Sequence, residues 1–481
     1  MSIRRSLAWI FSGQIVTFVI VFSGSLIIAR LLSPHEMGVY AIAAAIAGFI
    51  SVISTMGLGA YLIREVDLTD EKRSAVFTVN ALINMSISAI LFAASFLGAY
   101  YWGDTDVTIV MRLLCVPPLI AIFEFLPSIL AQREMAFRTT SLIQTTAVML
   151  NVTLTVALAM AGFSSLSMPY AAIAAALLRA GLFNILISRH VFLSVSFTGW
   201  RPIFVFGLRM ITVSGLAQLT HRACDIIIGS MLGLAALGLY SRASNLATLV
   251  FQNIYGTATG VIFAQLSKTF RETGELRAPF LRGLETILAV MWPFLIGLAI
   301  LSQPAVHILY GAKWQAAAQP LSILLIAQFI VLSFGMNWEL FVLRDETARQ
   351  TNYEIFRSVG GLILFTLGSL FGLSAAAAGR IGEATIGAAS YLPLMSKLSG
   401  APLSEFGRVY LQSLLLTVAA VSPSFVLMMW SGWSPETSPV LIALAVFAGV
   451  GLWAIMLKRL RHPVLDEILY VLERMRHRPQ L

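Results

Sequence analysis

The strongest constraint on this chain is a succession of apolar stretches, each about 20 residues or longer, recurring about fourteen times. They lie at roughly 8–31, 39–62, 75–101, 108–130, 139–161, 166–188, 204–230, 237–266, 284–309, 318–342, 355–374, 376–396, 409–430 and 438–457. A stretch of that length crosses a hydrocarbon core as a helix, because only hydrogen bonds within the segment satisfy its backbone in lipid. Hydrophobic residues make up 58% of the chain and charged residues 11%, less than half the share of a soluble domain. The fold class expected is an all-α polytopic membrane protein with about 14 transmembrane helices. Only Gly372, Leu373 and Ser374 separate the eleventh stretch from the twelfth.

The charges support that division. Cytoplasmic loops of membrane proteins collect Lys and Arg. With the N-terminus inside, the cytoplasmic segments hold Arg4, Arg5, Arg64, Lys72, Arg73, Arg133, Arg138, Arg189, Arg201, Lys268, Arg271, Arg277, Arg282, Arg344, Arg349, Lys397, Arg408, Lys458, Arg459 and Arg461, and the external loops hold only Lys313. Fusing the eleventh and twelfth spans would put Lys397, Arg408 and the basic tail outside. Both termini are therefore expected on the cytoplasmic side of the membrane. Met1 to Arg5 precede an apolar stretch too long for a signal peptide, so it reads as a retained helix. The net charge of +9 reflects this topology and attraction to anionic lipid headgroups rather than nucleic acid. Cys115 and Cys224 fall inside spans and read as buried apolar residues. Prolines inside spans, among them Pro117, Pro118, Pro127 and Pro293, predict kinks where neighbours re-satisfy freed carbonyls.

Two stretches match each other across an offset of 200 positions. Ser25 to Ala41 reads SLIIARLLSPHEMGVYA, and Asp225 to Ser241 reads DIIIGSMLGLAALGLYS. Ile27, Leu32, Gly38 and Tyr40 recur as Ile227, Leu232, Gly238 and Tyr240. The offset places span 1 over span 7, and both begin on the cytoplasmic side, so the halves are parallel pseudo-symmetric repeats. The expected organisation is two six-helix bundles at 1–200 and 201–400, two further helices at 401–458, and a basic amphipathic cytoplasmic tail at 459–481.

The chain has no Gly-rich phosphate loop, no His/Glu metal pattern and no Ser/His/Asp grouping in an ordered loop. No cofactor, metal or catalytic residue is expected. What remains are ionisable residues inside spans, which are costly in hydrocarbon and therefore face a polar cavity or each other. Span 7 carries Arg209, His221, Arg222 and Asp225, the last three close enough in sequence to share a helix face. Span 12 carries Arg380 and Glu383, span 4 Glu124, and span 6 Arg179. Arg380 with Glu383 reads equally as an internal ion pair or as part of a transport site. Arg242, Arg30 and Arg112 lie near helix ends and read either as snorkelling to headgroups or as lining. Glu339, Glu354, Glu285 and Arg357 lie near the cytoplasmic interface and are expected to be solvated. The deep set leans cationic, and the planar fork of Arg suits phosphate. Arg179, Arg209, Arg222 and Arg380 are the candidates for an anionic lipid headgroup. Asp225, His221, Glu124 and Glu383 are the candidates for ion or proton coupling.

The runs ARLLSPHEMGVYAIA, MGLGAYLIREVDLT and AQREMAFR, with DIIIGSMLGLAALGLYSRA and LYGAKWQAAAQPL in the second half, resemble the Wzx-type polysaccharide flippases. These belong to the multidrug/oligosaccharidyl-lipid/polysaccharide (MOP) superfamily. The colanic-acid-type and rhizobial exopolysaccharide exporters resemble the chain most. The resemblance covers roughly residues 1–400. It implies two inverted-V bundles of six helices, with spans 1 and 7 lining a cationic cavity. It also implies translocation of undecaprenyl-pyrophosphate-linked oligosaccharide for exopolysaccharide, capsule or O-antigen assembly, with a polymerase and co-polymerase as partners. Asp225 and Arg242 occupy the Asp of the span 7 run and the Arg of its Tyr-Ser-Arg sequence. The alternatives are a MOP-fold exporter of a peptidoglycan lipid precursor or drug, and, from another class, a membrane-embedded polymerase or acyltransferase. A polymerase would be expected to carry a large external loop with ordered polar residues, and no such loop occurs. The mechanism expected is alternating access by rocking of the two halves.

Overall fold

Short turns, many of them polar or glycine-containing, separate the helices of the computed structural model. It describes residues 3–55, 57–65, 69–187, 195–198 and 200–465, apart from the side chains of 3–12, 55, 202–217, 250, 252–254 and 257. Helix α1 (Ile3–Leu31) ends where Ser33 caps α2 (Pro34–Ser51). Ser33 Oγ accepts from Glu36 N at 3.3 Å and Ser33 N donates to Glu36 Oε2 at 2.6 Å, a reciprocal capping box with Pro34 at the first helical position. After α3 (Leu58–Arg64), Thr69 caps α4 (Asp70–Trp102), which stops at Gly103 with φ 64°. Asp104 then caps α5 (Thr105–Leu114), and α6 (Val116–Arg133), α7 (Phe137–Met160), α8 (Ser167–Ile187) and α9 (Trp200–Met231) follow.

The second half of the chain carries α10 (Leu234–Thr273), α11 (Arg277–Ile300), α12 (Ser302–Tyr310), α13 (Ala318–Ser333) and α14 (Asn337–Leu343). It continues with α15 (Thr347–Ser369), α16 (Leu373–Ser399), α17 (Leu403–Trp430) and α18 (Pro439–Leu460). No strand occurs among the described residues. Ten helices or helix pairs among them are long and apolar enough to cross a membrane. Helices α9, α10, α15 and α16, which coincide with expected spans 7, 8, 11 and 12, lie outside those ten. The latter pair carries internal charges and many small residues, which lowers its apolar character.

Contacts group the chain into two compact units, Met1–Leu239 and Tyr240–Leu481. In the first, α1 packs on α7, α4 on α5 and α6, and α8 on α6 and α7, while α2 runs against α5 and α9. In the second, α15 lies along α16, α13 along α16 and α11, and α17 joins α11 to α18. The 1–200 and 201–400 halves describe the sequence repeat, whereas the contacts place α9 with the helices before it.

Prolines inside helices leave carbonyls without their N–H partner four residues on. Pro127 frees Phe123 O, which accepts from Asn184 Nδ2 at 3.0 Å. Pro293 frees Ala289 O, which accepts from Trp453 Nε1 at 2.9 Å. Pro423 frees Ala419 O, which accepts from Ser422 Oγ at 3.1 Å. Side chains thus replace the missing backbone donors, which lipid could not. Pro117 and Pro118 go further and break the fourth span into α5 and α6, with Ser88 Oγ donating to Cys115 O at 2.6 Å at the break. The Cys115 and Cys224 thiols are both buried.

The repeated glycines meet inside the first unit. A Cβ added at Gly38 would overlap the carbonyl oxygen of Leu234, and one at Gly238 would overlap that of Pro34 and lie 3.1 Å from Gly38 N. Each copy's glycine seats the first turn of the other copy's helix. Gly38→Ala is therefore expected to cost about 1–3 kcal/mol through overpacking against backbone. Thermal unfolding of the purified protein in detergent checks this. Gly181→Ala, which meets nothing within 4 Å, is the control expected to show no loss.

Beyond α18 the chain turns back on the second unit. Val464 is buried with Ala289, Leu416 and Leu457. His462 Nδ1 accepts from Val464 N at 3.3 Å, which puts the ring proton on Nε2, 3.2 Å from Glu285 Oε1. Burial pushes the His462 imidazole down to about 4. Glu285, expected to be solvated, is instead half-buried beside this ring. The expected amphipathic tail lies outside the described residues from 466 onward.

Candidate functional site

Arg222 projects from α9 onto α2, where it crosses the backbone at Gly48. A Cβ at Gly48 would stand 2.5 Å from Arg222 Nε and 3.0 Å from Cζ, so the absence of a side chain there makes room for the guanidinium. Side chains on a helix lean toward its N-terminus, which directs Arg222 of α9 along this path. The charge of Arg222 also reaches the Tyr40 phenol on α2. Among the described residues, Arg222 has no carboxylate within ion-pair distance. His221 and Asp225 accompany it on α9, each half-buried or exposed and each with polar contacts of its own. The side chain of Arg209 lies outside the described residues.

Arg179 and Glu124 form one unit rather than two. Arg179 Nε on α8 donates to the Glu124 carboxylate on α6 at 2.7 Å, and the guanidinium remains about one third exposed. A candidate headgroup contact and a candidate coupling carboxylate therefore neutralise each other, with part of the guanidinium still accessible.

A buried charge network joins α15 to α16. Arg357 Nη1 donates to Glu383 Oε1 at 2.7 Å, and Arg380 Nη1 donates to Glu383 Oε2. Arg357 Nε also donates to Glu354 Oε2 at 3.2 Å, and Tyr391 Oη donates to the same oxygen at 3.1 Å. Glu383 is 2% exposed. Glycines let these groups in: a Cβ at Gly361 would lie 2.5 Å from Glu383 Cγ, and one at Gly387 2.9 Å from Arg357 Cδ. Each buried carboxylate faces two donors, which offsets the desolvation an isolated charge would suffer.

Three interfacial expectations change here. Glu354 and Arg357 are not solvated, because α15 begins at Thr347, well before its apolar run, and carries both residues into the helix pair. Glu339 is 8% exposed, because the chain breaks at Met336 (φ 59°) and turns the short helix α14 inward. Tyr255 Oη accepts from Met336 N at 2.9 Å and fixes that break. Arg242 does not snorkel: it is 4% exposed, with its Cζ 5.8 Å from the Tyr310 ring and 5.6 Å from the Trp314 ring. Both rings come from the LYGAKWQ run. Glu354 and Arg357 carry the same three-residue spacing as Arg380 and Glu383, and that spacing was the available signal. Gly48 gave none, because nothing in sequence tells which glycine lies beneath a charged side chain.

Among the described residues no group of three or more His, Cys, Asp or Glu side chains could hold a metal ion. The family model described as polysaccharide biosynthesis protein matches residues 27–319. The teichuronic acid biosynthesis protein TuaB of Bacillus subtilis (strain 168) is 26% identical over 67% of this chain and 66% of its own length. The succinoglycan biosynthesis transport protein ExoT of Rhizobium meliloti (strain 1021) is 24% identical over 69% and 67%. The lipopolysaccharide biosynthesis protein WzxC of Escherichia coli (strain K12) is 22% identical over 62% and 61%. The matches thus span about two thirds or less of these relatives' lengths. Among solved structures, the lipid II flippase MurJ in an inward closed conformation is similar with a TM-score of 0.72 at 15% identity, covering 94% of this chain and 97% of that one. An inward-facing multidrug resistance MATE family transporter of the MOP superfamily is similar with a TM-score of 0.59 at 16% identity, covering 80% and 96%. The two likenesses show the fold. With its family model matched over more than half its length, the chain belongs to the polysaccharide biosynthesis protein family.

Proposed function

We propose that this protein flips a polyprenyl-pyrophosphate-linked oligosaccharide repeat unit from the cytoplasmic to the external leaflet of a bacterial cytoplasmic membrane, by alternating access. The observation that carries the reading is Arg222, a guanidinium inside a helix bundle with no carboxylate to neutralise it among the described residues. Such a charge in a membrane protein calls for an anionic ligand, and its fork matches a phosphate oxygen pair. Arg179, held by Glu124 yet partly accessible, is the second headgroup contact, and Arg209 a third. The shared bonds from Arg357 and Arg380 to Glu383 favour a structural role for Arg380 and Glu383 between α15 and α16. Names of the relatives, among them a succinoglycan biosynthesis transport protein, favour an exopolysaccharide or cell-wall glycan as cargo over a drug or an enzymatic role.

Deleting the gene is expected to abolish the surface polymer and to accumulate its lipid-linked intermediate on the cytoplasmic side. Loss of polymer without that intermediate would place the protein at another step. Asp225, beside His221 and one turn from Arg222, is the proposed coupling carboxylate. Translocation in vesicles is then expected to respond to an imposed proton or sodium gradient. Equal rates with and without both gradients would remove Asp225 from that role.

A further inference from the structure

We infer that Gly48 is a positioning residue for the headgroup site, acting through Arg222; the inference rests on the proposed headgroup role of Arg222. Most helix-facing glycines of the first unit meet backbone or a branched apolar side chain: Gly38 meets Leu234, Gly24 meets Val152, and Gly229 meets Ile42. Gly48 instead meets a charged side chain first. The three nearest atoms are Nε, Cζ and Cδ of Arg222, at 2.5, 3.0 and 3.1 Å from where a Cβ would stand. The guanidinium stem therefore rests on the bare α2 backbone, which limits its swing about the outer side-chain torsions.

That support has a consequence for binding. An arginine held by a carboxylate is oriented by the ion pair, as Arg179 is by Glu124. Arg222 has no such partner among the described residues, so steric support is what orients its fork. A preorganised fork loses less freedom on taking a phosphate oxygen pair than a free one. The glycine supplies this without placing an acceptor beside the guanidinium that would compete with the substrate. A Cβ at position 48 would move the far end of a flexible side chain and leave the helices in place. The effect expected is thus on affinity, with folding intact.

The test is a double-mutant cycle in vesicles of phosphatidylethanolamine and phosphatidylglycerol, with a polyprenyl-pyrophosphate-linked disaccharide as the probe. Gly48→Ala is expected to raise the half-saturating probe concentration roughly tenfold, with thermal unfolding unchanged. Arg222→Ala has no stem or fork at that place, so adding Gly48→Ala to it should change little. Gly48→Ser serves as the second variant and should behave as Gly48→Ala does. An equal penalty in both backgrounds, or no penalty in either, would overturn the inference. Misfolding of both Gly48 variants would do so too, because backbone rather than a guanidinium would then confine the space. If Arg222→Gln itself left transport unchanged, the headgroup reading would fail first, and the two failures are thereby separated.

Discussion

Replacing Arg222 with Gln is expected to lower polymer export at least about tenfold at an unchanged level of membrane-inserted protein. A hydrogen bond to a charged group is worth about 1.5–3 kcal/mol, and each 1.4 kcal/mol is a factor of ten. No carboxylate among the described residues would be orphaned by the change, so folding has little reason to suffer. Lys should retain an intermediate rate, because it keeps the charge and loses the planar fork. Export normalised to protein level by immunoblot checks both. The contrast is Arg179→Gln, which strands the Glu124 carboxylate and should reduce protein level together with export. Normal export by Arg222→Gln at normal protein level would remove Arg222 from the site.

Glu383→Ala should act on stability first. The carboxylate is shared by Arg357 and Arg380 and is 2% exposed. Removing it leaves two guanidinium groups between α15 and α16 without a common partner. Breaking a buried ion pair by deleting one member costs about 3–5 kcal/mol, a large share of a domain's total stability. A sharp fall in the thermal midpoint in detergent, and in the yield of folded protein, is expected. Arg380→Gln should cost less, because Glu383 keeps its bond from Arg357 Nη1. A Glu383→Ala protein as stable as the parent and yet inactive in export would instead return the network to the transport site.

The helical class was legible because lipid allows so few backbone solutions, and the prolines were legible as kinks for the same reason. Where the donors for their freed carbonyls come from was not. Asn184 and Trp453 stand far in sequence from the prolines they serve, and no local pattern marks them. The repeat marked Gly38 and Gly238, and their mutual contact gives a physical reason for their recurrence. Of the site, the ionisable residues were visible one by one, whereas their pairing was not. Spacing within a helix found Arg380 with Glu383. It could not show that Arg357 on the neighbouring helix completes that pair. Depth was judged from the edges of apolar runs, and this misplaced Glu354 and Arg357, because a helix that buries charges in pairs extends beyond its apolar stretch. For Arg242 the choice between snorkelling and lining stayed open for a related reason, since the rings that enclose it lie some seventy residues away.

The central claim is that this chain carries a pyrophosphate-linked glycolipid across a bilayer through Arg222. It is tested most directly by reconstituting the purified protein in vesicles bearing a fluorescent polyprenyl-pyrophosphate-linked saccharide and following the probe's exposure to a quencher outside. Wild-type protein should bring the inner-leaflet pool to the outer leaflet, and Arg222→Gln should leave it inside. Equal exposure with wild-type protein and with protein-free vesicles, or equal exposure with wild type and Arg222→Gln, would contradict the claim.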